Sequence, residues 1–518
     1  MIAPTWSAPV RFAEADALTV STPAALAAVR GDGGRLRVVD GDVELDTAAL
    51  LAAVAGQQAR LRAAGVGRGD VVCAQLPNWW ETVAVAHAVW GMGAVLCPVP
   101  VNFRTAELAR ILAAVDVAAF VVPASYRGTD HPALVRTALD RAGLDVPVLV
   151  VRGSTVDGAG GEPELDAGLD DVCVLMFTSG TTGTPKGVLH SHRTLLADAL
   201  SIARLYRLDG DRVYMPSPVG HVTGLVYGVL MPLLMGGSVV LQAEWDPAAG
   251  ADIIERNGCT FCVGATPFLR GLTDEYARRG TTSALTGFAC GGADVPAALV
   301  RRAAGVLGAV VARAYGLTEM PTVTCGGPDD PAELRAGTDG RLTGSSEARL
   351  AAVVDGVGEL EVRGPELCLG YLDPAHTAAS FTADGWFRTG DLATLSGDAV
   401  TIAGRAKDII VRGGENISVK EVEDYLLDHP RVADVAVVGV PDDVLGERGC
   451  AVVVPRQDPP SLAELSSFLL THDIAKHKLP EYLLVVAELP RTPSGKVQKF
   501  VLRRDALAQL AAGRGERR

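Results

Sequence analysis

Before position 400 this chain of 518 residues holds a single lysine, Lys186; the other six (Lys407, Lys420, Lys476, Lys478, Lys496 and Lys499) all follow residue 406. Positive charge is short throughout, with 47 Lys and Arg against 61 Asp and Glu and a net charge of −14. A surface of that sign is repelled by nucleic acid and by anionic lipid, which excludes broad binding to either. The start, "MIAPTWSAPVRFAEADAL", lacks a basic segment followed by an apolar core. No secretory signal is therefore expected, and a cytoplasmic location is.

Charge of both signs is missing from residues 213–243, which include the nearly continuous apolar run "GLVYGVLMPLLMGGSVVLQ". A membrane helix needs about 20 apolar residues in a row. Here Pro232 and the pair Gly236 and Gly237 interrupt the run, so a buried helix, a turn and a buried strand are expected, with no membrane span. Paired cysteines are also lacking. The nine cysteines are scattered, mostly in apolar runs, and Cys259 with Cys262 makes a lone C-x-x-C without the second pair of a zinc site. Buried thiols in a reducing compartment are the expectation.

What is present is ordinary globular composition, 48% apolar and 21% charged, over a length sufficient for two or more cores. "DVVCAQL", "NWWETVAVAHAVWGMG" and "AVLCPVPVN" read as strand, helix, strand, and "AAFVVP", "VPVLVV" and "DVCVLMF" continue the strands before a helix from about His192 to Tyr206. This order predicts an α/β fold of helix-covered, mostly parallel sheets. From about residue 337 to 401 short strands and turns take over. The break in lysine usage marks a further module.

Lys186 lies in "FTSGTTGTPKGV" (177–188), where an apolar strand stops and a Gly/Thr/Ser loop begins. A flexible point charge beside a nest of backbone N–H groups suits phosphate. The Walker loop does not fit, because Pro185 stands at its second glycine and Gly187 at its Ser/Thr. "GVGRGD" (65–70) lacks the third glycine of a dinucleotide fingerprint, and neither G-x-S-x-G nor H-E-x-x-H occurs. His190 and His192 in "HSH" are expected as capping and surface groups rather than as a metal pair.

The loop and four further segments, in order, resemble the adenylate-forming superfamily of acyl-CoA synthetases, peptide-synthetase adenylation domains and luciferases. The four are "YGLTEM" (315–320), "GWFRTGDLA" (385–393), "GRAKDIIVRGGENIS" (404–418) and "PRTPSGKVQK" (490–499). The resemblance, closest to the acyl-CoA synthetase branch, runs from about Leu76 to Lys499. It implies a large N-terminal domain of residues 1–406, made of helix-covered parallel sheets plus a small β-barrel-like subdomain. A mobile, small α+β domain of residues 407–518 would follow.

The implied reaction is ATP-dependent activation of an acid as its adenylate, then transfer to coenzyme A, with Mg²⁺ offsetting the crowded phosphate charge. For ATP the resemblance implies Thr178, Ser179, Gly180, Thr181, Thr182, Gly183 and Lys186 at the phosphates, with Gly291, Gly292 and Ala293 of "ACGGAD" along the adenine. Tyr315 and Gly316 would lie near the base, Thr318 on the α-phosphate, Glu319 on Mg²⁺, and Asp391 and Arg405 at the ribose. Lys496 is the implied catalytic lysine, Lys407 the hinge, and Gly413, Gly414 and Glu415 line the pantetheine tunnel. Val419 departs from the proline of the family's "ISPKE" and leaves that loop's stiffness open.

For the acid, "SPVGHVTGL" (217–225) would supply His221 as a carboxylate gate, a satisfied core histidine being the alternative. Val222, Leu225, Val226, Gly316 and Met320 would line the acyl pocket. Amino-acid-activating relatives keep an acidic partner near this segment; residues 213–243 have none, and a buried, unpaired ammonium is costly. The expected substrate is an apolar acid, whether fatty, alicyclic, aromatic or terpenoid. The acceptor is coenzyme A or a separate carrier protein. Two alternatives stay open: a stand-alone adenylating enzyme that completes one half-reaction, and a nucleotide-binding module that has lost catalysis.

Overall fold

The computed structural model describes residues 2–5, 18–31, 36–151, 161–178, 186–292, 295–354, 356–405, 408, 410–412, 415–442, 445–472, 474, 476–491, 496–513 and 515–517. Contacts divide the chain into two units, Met1–Ala348 with Val362–Phe387, and Arg349–Glu361 with Arg388–Arg518. The boundary expected at 406/407 falls inside the second.

In the first unit the unbroken apolar runs become strands with both faces covered. The strands Val71–Ala74, Val95–Pro98 and Ala119–Pro123 are buried at every position. Runs without polar alternation suit parallel sheets covered by helices. One sheet takes the order Lys186–Ser191, Val172–Thr178, Val95–Pro98, Val71–Ala74, Ala119–Pro123, Val148–Val151. It is parallel apart from its first pair, an antiparallel hairpin. The other runs Val43–Asp46, Arg37–Asp40, Ser238–Leu241, Arg212–Met215, Phe261–Gly264, Gly287–Cys290, Val310–Leu317, with Met320–Cys325 and Arg341–Leu342 added antiparallel. One apolar cluster draws Val72, Leu96 and Val174 from the first sheet, Val213 and Val239 from the second, and Trp80, Trp90, Leu196 and Leu225 from the helices.

The charge-free run behaves as expected. It forms helix Val222–Leu225, a π-helical turn Val226–Leu230, helix Met231–Leu234 and buried strand Ser238–Leu241. Among the described residues no helix is long and apolar enough to cross a membrane. All nine cysteines are buried and unpaired.

The stretch expected as short strands contains Val357–Arg363 and Phe387–Ser396, mostly in the second unit, and Ala399–Arg405 within it. Farther on, Val432–Asp442 and Gly446–Pro455 form a long antiparallel pair, extended by Ile410–Arg412, Glu415–Ile417 and Tyr482–Val485. Helices Val419–Leu427 and Leu462–Leu470 bury Val422, Leu426, Leu465 and Leu469 with Val435, Val437 and Val453 of the sheet. Helix Lys499–Ala511 adds Leu502 and Ala506 to a second cluster with Val438, Val452 and Leu484. The whole is the mixed α/β architecture that the sequence predicts, a large sheet domain with a small α+β module.

One buried ion pair joins parts of the first unit. Arg313, on strand Val310–Leu317, donates through Nε (3.1 Å) and Nη2 (2.6 Å) to Oδ1 of Asp339, and both residues are under 9% exposed. Removing one partner strands the other's charge in the core, so Asp339→Ala should cost about 3–5 kcal/mol. Calorimetry of the first unit's unfolding should show this loss, and the double variant with Arg313→Leu should recover part of it.

Candidate active site

Several candidate site residues of the first unit meet at a two-residue turn. Strands Val310–Leu317 and Met320–Cys325 pair antiparallel with Leu317 opposite Met320, which leaves Thr318 and Glu319 at the tip. The register slips between Tyr315 and Leu317. Gly316 sits at that slip, and a β-carbon there would stand 1.9 Å from the Pro321 carbonyl oxygen. Only glycine allows the two strands to approach so closely.

Three contacts from distant segments hold the tip. The Cys368 N–H donates to the Glu319 carbonyl at 2.8 Å, and Tyr371 Oη donates to Glu319 Oε1 at 2.6 Å. His190 Nε2 lies 2.7 Å from the Thr318 carbonyl oxygen. A carbonyl only accepts, so this nitrogen carries the proton and Nδ1, 2.9 Å from Thr194 Oγ1, is the acceptor. Burial lowers the His190 pKa from 6.5 to about 4, so the ring is neutral at pH 7.

Strand Lys186–Ser191 brings Lys186 to the same place. Its Nζ lies 5.0 Å from the Tyr371 ring centroid, a cation–π arrangement. Leu189 and Leu372 donate their N–H groups to Gly370 and Gly187, lacing the segment that bears Tyr371 onto this strand. Burial, together with the Glu319 charge, pushes the Tyr371 hydroxyl pKa up, so it stays a donor. Among the described residues Tyr371 is the sole hydrogen-bond partner of the Glu319 carboxylate, and Oε2 is left over. One spare carboxylate oxygen fits Mg²⁺, which commonly takes one or two carboxylates and completes its shell with phosphates and water. No group of three His, Cys, Asp or Glu that could hold a metal occurs among the described residues.

Thr178 faces Lys186 across the hairpin and donates its hydroxyl to the Lys186 carbonyl at 3.4 Å. Gly291, just past strand Gly287–Cys290, donates its N–H to Gly264 at 3.1 Å, and Gly292 follows on the surface. Tyr315 is half-buried opposite Thr324. Ser179, Gly180, Thr181, Thr182, Gly183, Ala293, Lys407, Gly413 and Gly414 lie outside the described residues.

His221 opens helix Val222–Leu225, its N–H bonded to the Pro218 carbonyl at 3.0 Å. Burial lowers its pKa, and Nε2 is buried without a partner among the described residues. It is not a satisfied core histidine. Asn78 fixes the loop before it, donating to the Ser217 carbonyl (2.8 Å) and accepting the Val219 N–H (2.9 Å). Val222 is half-buried, while Leu225, Val226 and Met320 are wholly buried.

In the second unit, Asp391 and Arg405 are register partners on adjacent strands and pair with each other, Nε to Oδ1 3.0 Å. The two C-terminal lysines of "GKVQK" differ. Lys499 is bound to both carboxylate oxygens of Glu423 at 2.8 and 3.0 Å and is partly buried, and Lys496 is exposed just before the helix. Glu415 begins strand Glu415–Ile417.

One expectation is corrected. His190 and His192 are not surface groups, for both are under 2% exposed. The strand passes straight into helix His192–Leu205, and Ser191 between them is the cap, accepting the Thr194 N–H. His192 instead bonds Thr22 and stacks edge-on against Trp90. Sequence reading also passed over Tyr371, Asn78 and Asp198; nothing local sets them apart, since their partners lie far away along the chain.

A family profile described as AMP-binding enzyme matches residues 27–372, and one described as AMP-binding enzyme C-terminal domain matches residues 421–496. The chain belongs to the AMP-binding enzyme family. It is 35% identical over 475 residues to the medium-chain fatty-acid–CoA ligase of Escherichia coli K12, covering 86% of this chain and 83% of that one. It is 36% identical over 505 residues to a salicylyl-CoA synthase / salicylate adenylyltransferase of a Streptomyces species, covering 91% of each. The crystal structure of ATP-bound MatB from Rhodopseudomonas palustris superposes with a TM-score of 0.84 at 27% identity, covering 94% of this chain and 99% of that one. The chain is accordingly an enzyme of the AMP-forming acid–thiol ligase class, whose members use ATP and CoA.

The neutral His190 gives a pH test. Between pH 6.5 and about 4 the unfolded chain binds a proton that the folded ring refuses, so acidification through this window draws the equilibrium toward unfolding. His190→Gln should be less stable at pH 7.5 yet lose stability less steeply down to pH 4. Glu81 and Asp198, each raised to about 7 by burial, act in the opposite sense in both proteins and cancel in the difference. Thermal unfolding across the pH range reads the slopes; equal slopes would refute a neutral, buried His190.

Proposed function

We propose that this chain is an ATP-dependent acid–CoA ligase acting on an apolar carboxylic acid. The observation that carries the reading is the Thr318–Glu319 tip, whose carboxylate keeps a spare oxygen and shares Tyr371 as a neighbour with Lys186. An acid carboxylate oxygen attacks the α-phosphorus of ATP, and the bond to pyrophosphate breaks to leave an acyl-adenylate. The sulfur of coenzyme A then attacks the acyl carbon and AMP departs. The fatty-acid and salicylate specificities of the two relatives bracket straight-chain and aromatic acids, and the absence of charge over residues 213–243 supports an apolar substrate.

In this reading the loop with Ser179, Gly180, Thr181, Thr182 and Gly183, together with Thr178 and Lys186, holds the β- and γ-phosphates. Thr318 donates to the α-phosphate. Glu319 would hold Mg²⁺ through the oxygen that Tyr371 leaves over, and the bound ion would supply charge neutralisation at the phosphates. Gly291, Gly292, Ala293, Tyr315 and Gly316 border the adenine. Asp391 accepts from the ribose hydroxyls, with Arg405 paired to it at 3.0 Å. His221 meets the acid's carboxylate with its unpartnered nitrogen, while Val222, Leu225, Val226 and Met320 form the wall and floor of the acyl site. Residues 1–406 and 407–518 act as functional bodies pivoting at Lys407. Gly413, Gly414 and Glu415 guide the pantetheine arm.

Lys496 is the proposed catalytic cation on the acid carboxylate and the α-phosphate. The adenylyltransferase half of the Streptomyces relative's name keeps a second reading in view, in which the acyl group passes to a carrier protein.

Two measurements test this. AMP release across a panel of apolar acids should require coenzyme A for turnover; pyrophosphate exchange without a CoA thioester for any acid would favour the carrier reading. Lys496→Ala should lower adenylation by about 10²–10³ while sparing thioester formation from a presynthesised acyl-adenylate. An equal loss in both halves would overturn the assigned role.

A further inference from the structure

Behind the candidate acid site lies a carboxylate that the proposed reaction does not use. Asp198, in the middle of helix His192–Leu205, is 0% exposed. Its Oδ2 accepts the Tyr227 hydroxyl at 2.6 Å and its Oδ1 accepts the Thr322 N–H at 2.7 Å. Tyr227 Oη also bonds Thr322 Oγ1, and the Thr322 carbonyl accepts the Thr343 hydroxyl at 2.8 Å. A buried carboxylate is expensive unless every oxygen is met by a donor, and here each one is.

The two donors sit on the two segments that carry the acyl-site residues. Tyr227 belongs to the π-helical turn Val226–Leu230, closed by the Met231 N–H on the Val226 carbonyl. That turn directly continues helix Val222–Leu225. Thr322 follows Met320 by two residues on strand Met320–Cys325. A π turn spaces its hydrogen bonds wider than an α-helix and is seldom stable without an outside contact. Gly228 packs this one tightly, because a β-carbon there would stand 2.8 Å from Met215 Cγ. The Asp198–Tyr227 bond anchors its other side.

We propose that Asp198 is a positioning residue for acid selection: its carboxylate ties the π turn bearing Val226 to the strand bearing Met320, and so fixes the shape of the acyl site. The proposal rests on the acid-activating reading above. Its helix springs from the strand that carries Lys186 and His190, so the same element locates the nucleotide side and the acid side of the site.

The test compares wild type with Asp198→Ala, Asp198→Asn and Tyr227→Phe, reading kcat/KM for octanoate and for benzoate along with KM for ATP. Asp198→Ala and Tyr227→Phe should change the ratio between the two acids by about tenfold, with KM for ATP held within about twofold. Asp198→Asn can still accept the Thr322 N–H and bond Tyr227, and should restore most of the wild-type ratio. Equal losses for both acids in folded variants would overturn the proposal and leave Asp198 a purely structural residue. Tyr227→Phe preserves volume and carries the test if Asp198→Ala does not fold. Hydrogen exchange supplies a readout independent of turnover. In the variants, residues 226–231 and 320–325 should exchange faster together while strand Val172–Thr178 does not; unchanged exchange in either segment would overturn the tie. A wild type that releases AMP with no acid would instead refute the ligase reading, with exchange still deciding whether Asp198 joins the two segments.

Discussion

The proposed chemistry depends on holding a two-residue turn still. A hairpin tip is ordinarily the least constrained part of a sheet, yet here both peptide carbonyls and the one carboxylate are engaged from outside the hairpin. His190 takes the Thr318 carbonyl, Cys368 the Glu319 carbonyl, and Tyr371 one carboxylate oxygen. Each contact is a single hydrogen bond worth on the order of 1 kcal/mol net, and more where the acceptor is charged. Their joint effect is directional. They leave Glu319 with one oxygen to present, which is what a preorganised ligand for a phosphate-bound cation needs.

The same economy governs the cations. Lys499 is neutralised by Glu423, and Arg405 by Asp391, so neither contributes a loose positive charge. Lys186 is treated differently, because an aromatic face rather than a carboxylate steadies it. The ring quadrupole orients an ammonium without cancelling its charge. Among the described residues no carboxylate pairs with Lys186, so its field remains available to an anion. The shortage of lysine in the first 400 residues leaves no other lysine ammonium there to compete for that anion.

Much of this was legible in the sequence. Unalternating apolar runs announced the parallel sheets, the proline and glycines of residues 213–243 argued against a membrane helix, and five ordered motifs named the superfamily. What was not legible were the partners. Tyr371 lies 52 residues beyond Glu319, and Thr318 lies 128 beyond His190, so no local spacing connects them. His190 and His192 were misjudged for a related reason. Two residues at a strand–helix junction look like caps, but a strand buried on both faces carries its end residues inward. The actual cap, Ser191, stood between them.

Asp198 is the sharpest instance of the same limit. On a helix whose buried residues include Leu195, Leu196, Ala199 and Ile202, an aspartate in the sequence suggests a solvated position. It is buried instead because a tyrosine hydroxyl and a backbone N–H arrive from two other elements to meet it. An apolar residue at 198 would leave the Tyr227 hydroxyl without its carboxylate acceptor and the Thr322 N–H unmet, deep in the core. The carboxylate is therefore best understood through its donors: a widened helical turn and a strand, each needing an acceptor, share one. Sharing couples their positions. A site that must admit some acids and refuse others gains from such coupling, because neither wall can shift to accommodate a misfit without straining the other.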